Sequence, residues 1–217
     1  MVDIPLFPLN TVLFPGGTLP LHIFEDRYKL MMGECIEQHT TFGVVLIKSG
    51  TEVGGPAEPH PVGTTARISR VQELDGGRLN LVAVGVERFR ILSIRQSQPY
   101  LRADVEVIED ADTDPSASAA AAGEVSKLYV DYYRLALALT SQWQERVGVP
   151  EQPGALADFV ATRIDTESEL KQRLLEMPSV SERLTTEREL LNQAVGVLGE
   201  QVAAARRSRY GGLGALN

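Results

Sequence analysis

The feature that most restricts this chain is a change of hydrophobic period near residue 110. Leu101, Ala103, Val105 and Val107 alternate with Arg102, Asp104 and Glu106, the pattern of a strand with one buried face. Further on, Val125, Leu128, Tyr129, Tyr132, Leu135, Leu139 and Trp143 recur at helical spacing, which marks one apolar stripe. Between the two patterns lies Glu109-Asp110-Ala111-Asp112-Thr113-Asp114-Pro115-Ser116, acidic and closed by Pro-Ser, which reads as a solvated connection. Strands first and helices after restrict the chain to the α+β class.

The strand half, residues 1–110, opens on Ile4-Pro5-Leu6-Phe7-Pro8-Leu9. Two prolines remove backbone donors and predict an edge or irregular strand. Phe14-Pro15-Gly16-Gly17 is a turn and Thr18–Phe24 is extended. Glu25-Asp26 begins a helix whose apolar face is Tyr28, Met31, Met32, Cys35 and Ile36. Phe42–Lys48 is a buried strand, and Ser49–Val62, rich in Gly and Pro, is a long loop. Thr64–Leu74 and Arg78–Val86 form a hairpin about Asp75-Gly76-Gly77, and Phe89–Ile94 continues as strand. The expectation is a small, mainly antiparallel, barrel-like sheet with one helix, followed by an α-helical bundle over residues 111–217.

In that bundle the first helix runs through Trp143 and is ended by Gly148 and Pro150. Short helices follow at Leu156–Ile164 and Glu167–Glu176. A long helix from Ser181 carries Leu184, Leu191, Val195, Leu198 and Val202 on one side, and residues 211–217 are a Gly-rich tail.

A net charge of −8 and a pI near 5.0 argue against general nucleic-acid binding and against anionic membranes. Arg206, Arg207 and Arg209 cluster where a helix C-terminus would welcome positive charge. A single cysteine forbids an intramolecular disulfide. Neither a signal peptide nor a membrane-length apolar run is visible, so the expected location is cytoplasmic.

No catalytic, cofactor-binding or metal-ligating set emerges. His22, His39 and His60 are isolated in sequence. Cys35 shares an apolar face with Met31 and Met32, the setting of an inert buried thiol. No phosphate loop of the form Gly-x-x-x-x-Gly-Lys-Ser/Thr and no Gly-x-Ser-x-Gly elbow occurs. The recognition candidate is the 49–62 loop with Val53, Pro56, Pro59 and Pro61, because long loops on rigid scaffolds often bind partners. The alternative is a plain mobile connection.

Several segments, taken in order, carry a family resemblance. They are Pro5-Leu6-Phe7-Pro8-Leu9 through Phe14-Pro15-Gly16-Gly17, then Leu19-Pro20-Leu21-His22-Ile23-Phe24-Glu25-Asp26-Arg27-Tyr28. Next come Gly76-Gly77-Arg78 and Gly85-Val86-Glu87-Arg88-Phe89. Leu156-Ala157-Asp158-Phe159, Lys171-Gln172-Arg173-Leu174-Leu175-Glu176 and Ser181-Glu182-Arg183-Leu184 complete the set. Together they resemble the LON domain, the N-terminal substrate-binding region of ATP-dependent Lon proteases, here in a free-standing form without the ATPase and Ser-Lys protease modules.

The resemblance implies a non-catalytic polypeptide-binding module. It would recognise unfolded or exposed apolar segments, or act as an adaptor for a separate protease or chaperone. Strand addition to an open sheet edge and apolar contact in a groove between sheet and bundle are the two physical routes. Two other readings stay open: an enzyme of unrecognised type acting at that groove, and a structural or regulatory oligomer. The expected state is a monomer or weak homodimer.

Overall fold

The computed structural model describes residues 2–54, 57–95, 99–112, 114–144 and 146–210, with side chains described as far as residue 207. The chain divides into two compact units. One comprises residues 1–111 and 161–178, the other residues 112–160 and 179–217. Residues 161–178, read from sequence as part of the helical half, belong to the first unit.

The first unit holds a six-stranded sheet built from β1 (Val2–Leu9), β2 (Thr18–Ile23), β3 (Phe42–Gly50), β4 (Ala57–Leu74), β5 (Arg78–Arg95) and β6 (Arg102–Val107). Its strand order is β2-β5-β4-β3-β1-β6, with β5 also pairing β6. The long β5 explains both pairings. Its first half, Leu79–Val84, is laddered to β2, and its second half, Phe89–Arg95, to β6. The sheet is therefore partly closed on itself, with β2 outside the closure. All pairings are antiparallel except β1 with β3. That parallel pair needs a crossover, supplied by β2 and α1 (Asp26–Gln38).

Two sequence expectations change here. β1 is irregular but is not an edge strand, because it lies between β3 and β6. Its residues 2–5 pair only with β6 and its residues 6–9 only with β3. Each half is thus laddered on one side, which leaves Pro5 and Pro8 an unladdered side for their donor-less nitrogens. The 49–62 segment is not one long loop either. β3 continues to Gly50 and β4 starts at Ala57, with Ser49 opposite Glu58 and Ile47 opposite Pro59. Register shifts on either side of Ile47 absorb the prolines as a bulge. The acidic connection is exposed, as its composition predicts, and its last acid also serves as a cap. The Asp114 carboxylate accepts from the Ser116 and Ala117 amides and caps α2 (Pro115–Leu139), with Pro115 in its first turn.

The β4–β5 hairpin turns through a single 3₁₀ turn at Asp75–Gly77. Gly76 and Gly77 have φ of 74° and 70°, values that L side chains rarely adopt. Period-two alternation along β1 feeds two clusters. Ile4 and Leu6 join Val45, Phe89, Ala103 and Val105, whereas Phe7 and Leu9 join Met31, Met32 and Cys35 of α1. Helix α4 (Ser168–Glu176) is tied to β4 by Gln172, whose Nε2 donates to the Val62 carbonyl at 3.0 Å.

In the second unit, α2 packs along α5 (Val180–Tyr210). Tyr129 of α2 meets Phe159 of α3 (Pro153–Arg163) edge-on at 5.1 Å. Arg183 and Asp158, both buried, pair at 2.6 Å beside the buried Glu187. Helix α2 ends at Leu139, short of the expected Trp143. Ser141 adopts φ 57°, and the Gln142 amide donates back to Leu137 O, which closes the helix. Trp143 lies beyond it and is 81% exposed, so the helical stripe does not carry it into the core. Among the described residues no helix is long and apolar enough to cross a membrane.

Candidate functional site

The strand β2 is the one with a single partner among the described strands. Its C-terminal half leads directly into α1, because Ile23 is buried while Phe24 and Glu25 make the turn into the helix. Glu25 sits at the helix N-cap but makes no cap hydrogen bond. Its carboxylate instead accepts from Arg27 Nε at 3.1 Å and from the Gly54 amide at 3.3 Å. Glu52 accepts from the Asn10 amide at 3.0 Å. Two carboxylates thus hold the short β3–β4 connection against the end of β1 and the start of α1.

The result is a groove of about 260 Å³ beside β2. Its floor is Phe7, Leu9, Ile23 and Tyr28, and its rim includes Phe24 and Val53. The floor is rigid: the Phe7 and Tyr28 rings meet edge-on at 4.4 Å, and the Arg27 guanidinium lies 4.5 Å from the Tyr28 ring centre. Phe24 stacks on His22 at 5.9 Å, and His22 Nδ1 lies 2.7 Å from Asn80 Oδ1. The rim is nevertheless open, with Phe24 48% and Val53 56% exposed. Burial raises the Tyr28 phenol above its ordinary value. Two large apolar side chains facing water across an apolar floor form a contact surface for another apolar group.

Of the four residues that the sequence singles out, the three described ones are separated by the structure. Val53 lines the groove. Pro59 is buried in β4, and Pro61 lies exposed in the same strand, so neither reaches it. Pro56 lies outside the described residues. The sequence reading missed Phe24. A signal existed, since Phe24 ends an apolar run immediately before the acidic helix start, where a buried strand would have stopped.

The lone Cys35 is buried, and burial raises its thiol above the ordinary range, the state of a packing group rather than a nucleophile. Among the described residues no three His, Cys, Asp or Glu side chains converge as metal ligands would.

Residues 3–193 match the family described as the ATP-dependent protease La (LON) substrate-binding domain. The chain belongs to that family.

Two relatives of this LON domain are the Lon protease of Anaeromyxobacter dehalogenans and Lon protease 2 of Myxococcus xanthus. Each is 32% identical over 198 residues, 90% of this chain and 24% of the relative. The LON chain therefore spans about a quarter of the length of these curated relatives. Among solved structures, the Lon N-terminal domain protein of Xanthomonas campestris superposes with a TM-score of 0.63 at 25% identity, covering 86% of this chain and 96% of that one. The N-terminal domain of the Mycobacterium avium complex Lon protease gives 0.67 at 20% identity, covering 88% and 98%, and shares the fold. The LON fold accounts for the partly closed sheet and the helices, and a substrate-binding role comes with the family.

Proposed function

We propose that this chain binds extended polypeptide segments through apolar side chains seated in the β2 groove, and that it does so without catalysis. The carrying observation is the pair of exposed apolar residues, Phe24 and Val53, on the rim of an ordered apolar floor. Among the described residues no serine, threonine, cysteine or lysine lines the groove, and its two carboxylates are engaged, Glu25 by Arg27 and the Gly54 amide and Glu52 by the Asn10 amide, which supports recognition rather than nucleophilic chemistry.

Side-chain capture is favoured over strand addition. Pro20 lies inside β2, which pairs with β5 alone among the described strands, and it has no amide hydrogen for an incoming strand, a common device for blocking edge pairing. Each apolar side chain buried is worth about 1.5–3 kcal/mol, so one anchor contributes roughly 10- to 100-fold in affinity. Recognition of unfolded chains follows, because an extended segment offers its apolar side chains together, whereas folded proteins rarely expose large contiguous apolar patches. Delivery of the bound segment to a separate protease or chaperone is the biological role this reading implies.

The experiment is binding of a permanently unfolded model protein to the parent chain and to the double variant Phe24→Asp, Val53→Asp. Binding at least about tenfold weaker with an unchanged unfolding midpoint is expected. Equal binding by the two proteins, or binding no tighter than to a charge-matched folded control, would overturn the proposal.

A further inference from the structure

The second unit carries a different surface. Between α2 and the last turns of α5 lies a groove of about 630 Å³, within the range of about 300–1,000 Å³ that ligand sites occupy. Leu135 and Ala138 of α2 face Val202 and Ala203 of α5 across its apolar floor. Its charged lining residues are Arg134, Arg206 and Arg207, and among the described residues no acidic side chain lines it. Trp143 and Gln144, just beyond the end of α2, also line it. This concentration of arginine stands in a chain of net charge −8.

Charge at a helix C-terminus accounts for Arg206 and Arg207 being near the end of α5. It does not account for Arg134, which comes from the other helix, nor for an 81% exposed tryptophan beside them. Three arginines and an exposed tryptophan lining an apolar floor match one ligand chemistry. Arginine and tryptophan are the residues most enriched where interfaces hold their energy. Guanidinium forks bind carboxylates in bidentate fashion, and the aliphatic floor takes an aliphatic or aromatic side chain between them.

We propose that the α2–α5 groove of the helical unit binds an acidic polypeptide segment carrying an apolar anchor residue. The aliphatic floor favours a peptide side chain over nucleic acid, whose bases stack on aromatic and guanidinium planes and would leave Leu135, Ala138 and Val202 without an apolar partner. This site is separate in residues and in chemistry from the β2 groove, and the proposal does not depend on that one.

Trp143 is the chain's single tryptophan, so its emission reports on this groove directly. The full chain is titrated with a short peptide alternating Glu and Leu, with the same peptide carrying Gln for Glu, and with single-stranded DNA. The expected result is a saturable blue shift with the Glu peptide. Affinity for the Gln peptide, and for the Glu peptide with Arg206→Glu, Arg207→Glu, is lower by about tenfold or more. Arg134→Glu, on the other helix, repeats the loss if the double variant alters α5. Phe24→Asp, Val53→Asp leaves the shift unchanged, which separates the two grooves. Three results would overturn the proposal: equal affinity for the Glu and Gln peptides, tighter binding of DNA than of the Glu peptide, or a blue shift that follows protein concentration alone, the mark of a second copy in the groove.

Discussion

Arg88 Nη1 donates to the Met177 carbonyl at 2.7 Å, joining residues 89 positions apart. The same nitrogen donates to the Leu175 carbonyl at 2.9 Å, and Nη2 pairs with Asp110. One buried guanidinium from β5 therefore caps the C-terminal end of α4 and holds the start of the connection toward α2. The α4 carbonyls lie at the negative end of that helix, where a cation is favourable.

Removing this clasp leaves buried carbonyls without their donor. Arg88→Met is expected to lower stability by about 3–5 kcal/mol, read as a reduced urea midpoint. Arg88→Lys retains charge but not the fork, and recovers less than half of the loss.

Gly85 and Gly33 should respond oppositely to alanine. A Cβ at Gly85 would lie 2.2 Å from the Phe14 carbonyl oxygen, because the Phe14–Gly17 turn is bonded to Gly85 through Gly16 N and Gly17 O. Gly85→Ala is expected to destabilise by ~3 kcal/mol, an overpacking cost that backbone cannot relieve. A Cβ at Gly33, on the exposed face of α1, meets nothing within 4 Å. Gly33→Ala is expected to stabilise by up to ~1 kcal/mol. Thermal unfolding of the two variants checks both signs.

Glu187 predicts a pH dependence. Its carboxyl is fully buried and neither oxygen has a hydrogen-bond partner. Burial raises it well above the ordinary value of 4.5, Arg183 opposes that shift and Asp158 adds to it. The folded state then holds a proton that the unfolded state has released. Stability is accordingly full below the ordinary value and falls as pH rises toward the folded one, by at most ~1.4 kcal/mol per pH unit. Glu187→Gln removes that fall. The variant should match the parent near pH 4 and exceed it at pH 7, as measured by urea denaturation at both values.

Pro20 predicts the behaviour of the open strand. Pro20→Val supplies the missing amide and a strong strand former. Concentration-dependent association through β2 is expected, visible by sedimentation at rising concentration. A variant that stays monomeric at all concentrations would show that β2 is shielded by other means.

Much of the fold was legible before any coordinates. The β4–β5 hairpin was marked by Asp75-Gly76-Gly77 between two apolar runs, and the α1 face by Tyr28, Met31, Met32 and Cys35. Both are local signals, in which the residues that reveal an element are the ones that form it. The errors lie where a local rule met a distant partner. The prolines of β1 predict an edge or irregular strand, and Pro59 and Pro61 predict loop. β1 is irregular but internal, exchanging partners midway, and register shifts on either side of the Ile47–Pro59 pair accommodate both prolines within β4. The stripe on α2 was extended to Trp143, although the helix closes at Leu139 and the stripe loses its partner there. Of the candidate site, Val53 was legible as an apolar residue in a connection. Phe24 carries a local signal in its place at the end of an apolar run before the acidic helix start, but its 48% exposure depends on what packs over a strand-end aromatic.

The sequence by itself determined the kind and order of elements, the position of the hairpin and the absence of recognisable catalytic motifs. Periodicity, turn residues and capping acids act within a few residues of one another and can be read in line. Only the tertiary structure decided that β5 serves β2 and then β6, that Arg88 closes on Leu175 and Met177, that Glu187 is buried without a hydrogen-bond partner, and that Phe24 and Trp143 face water. Each of these depends on which remote segments come together, and pairing and burial are properties of the assembled core rather than of any stretch of chain.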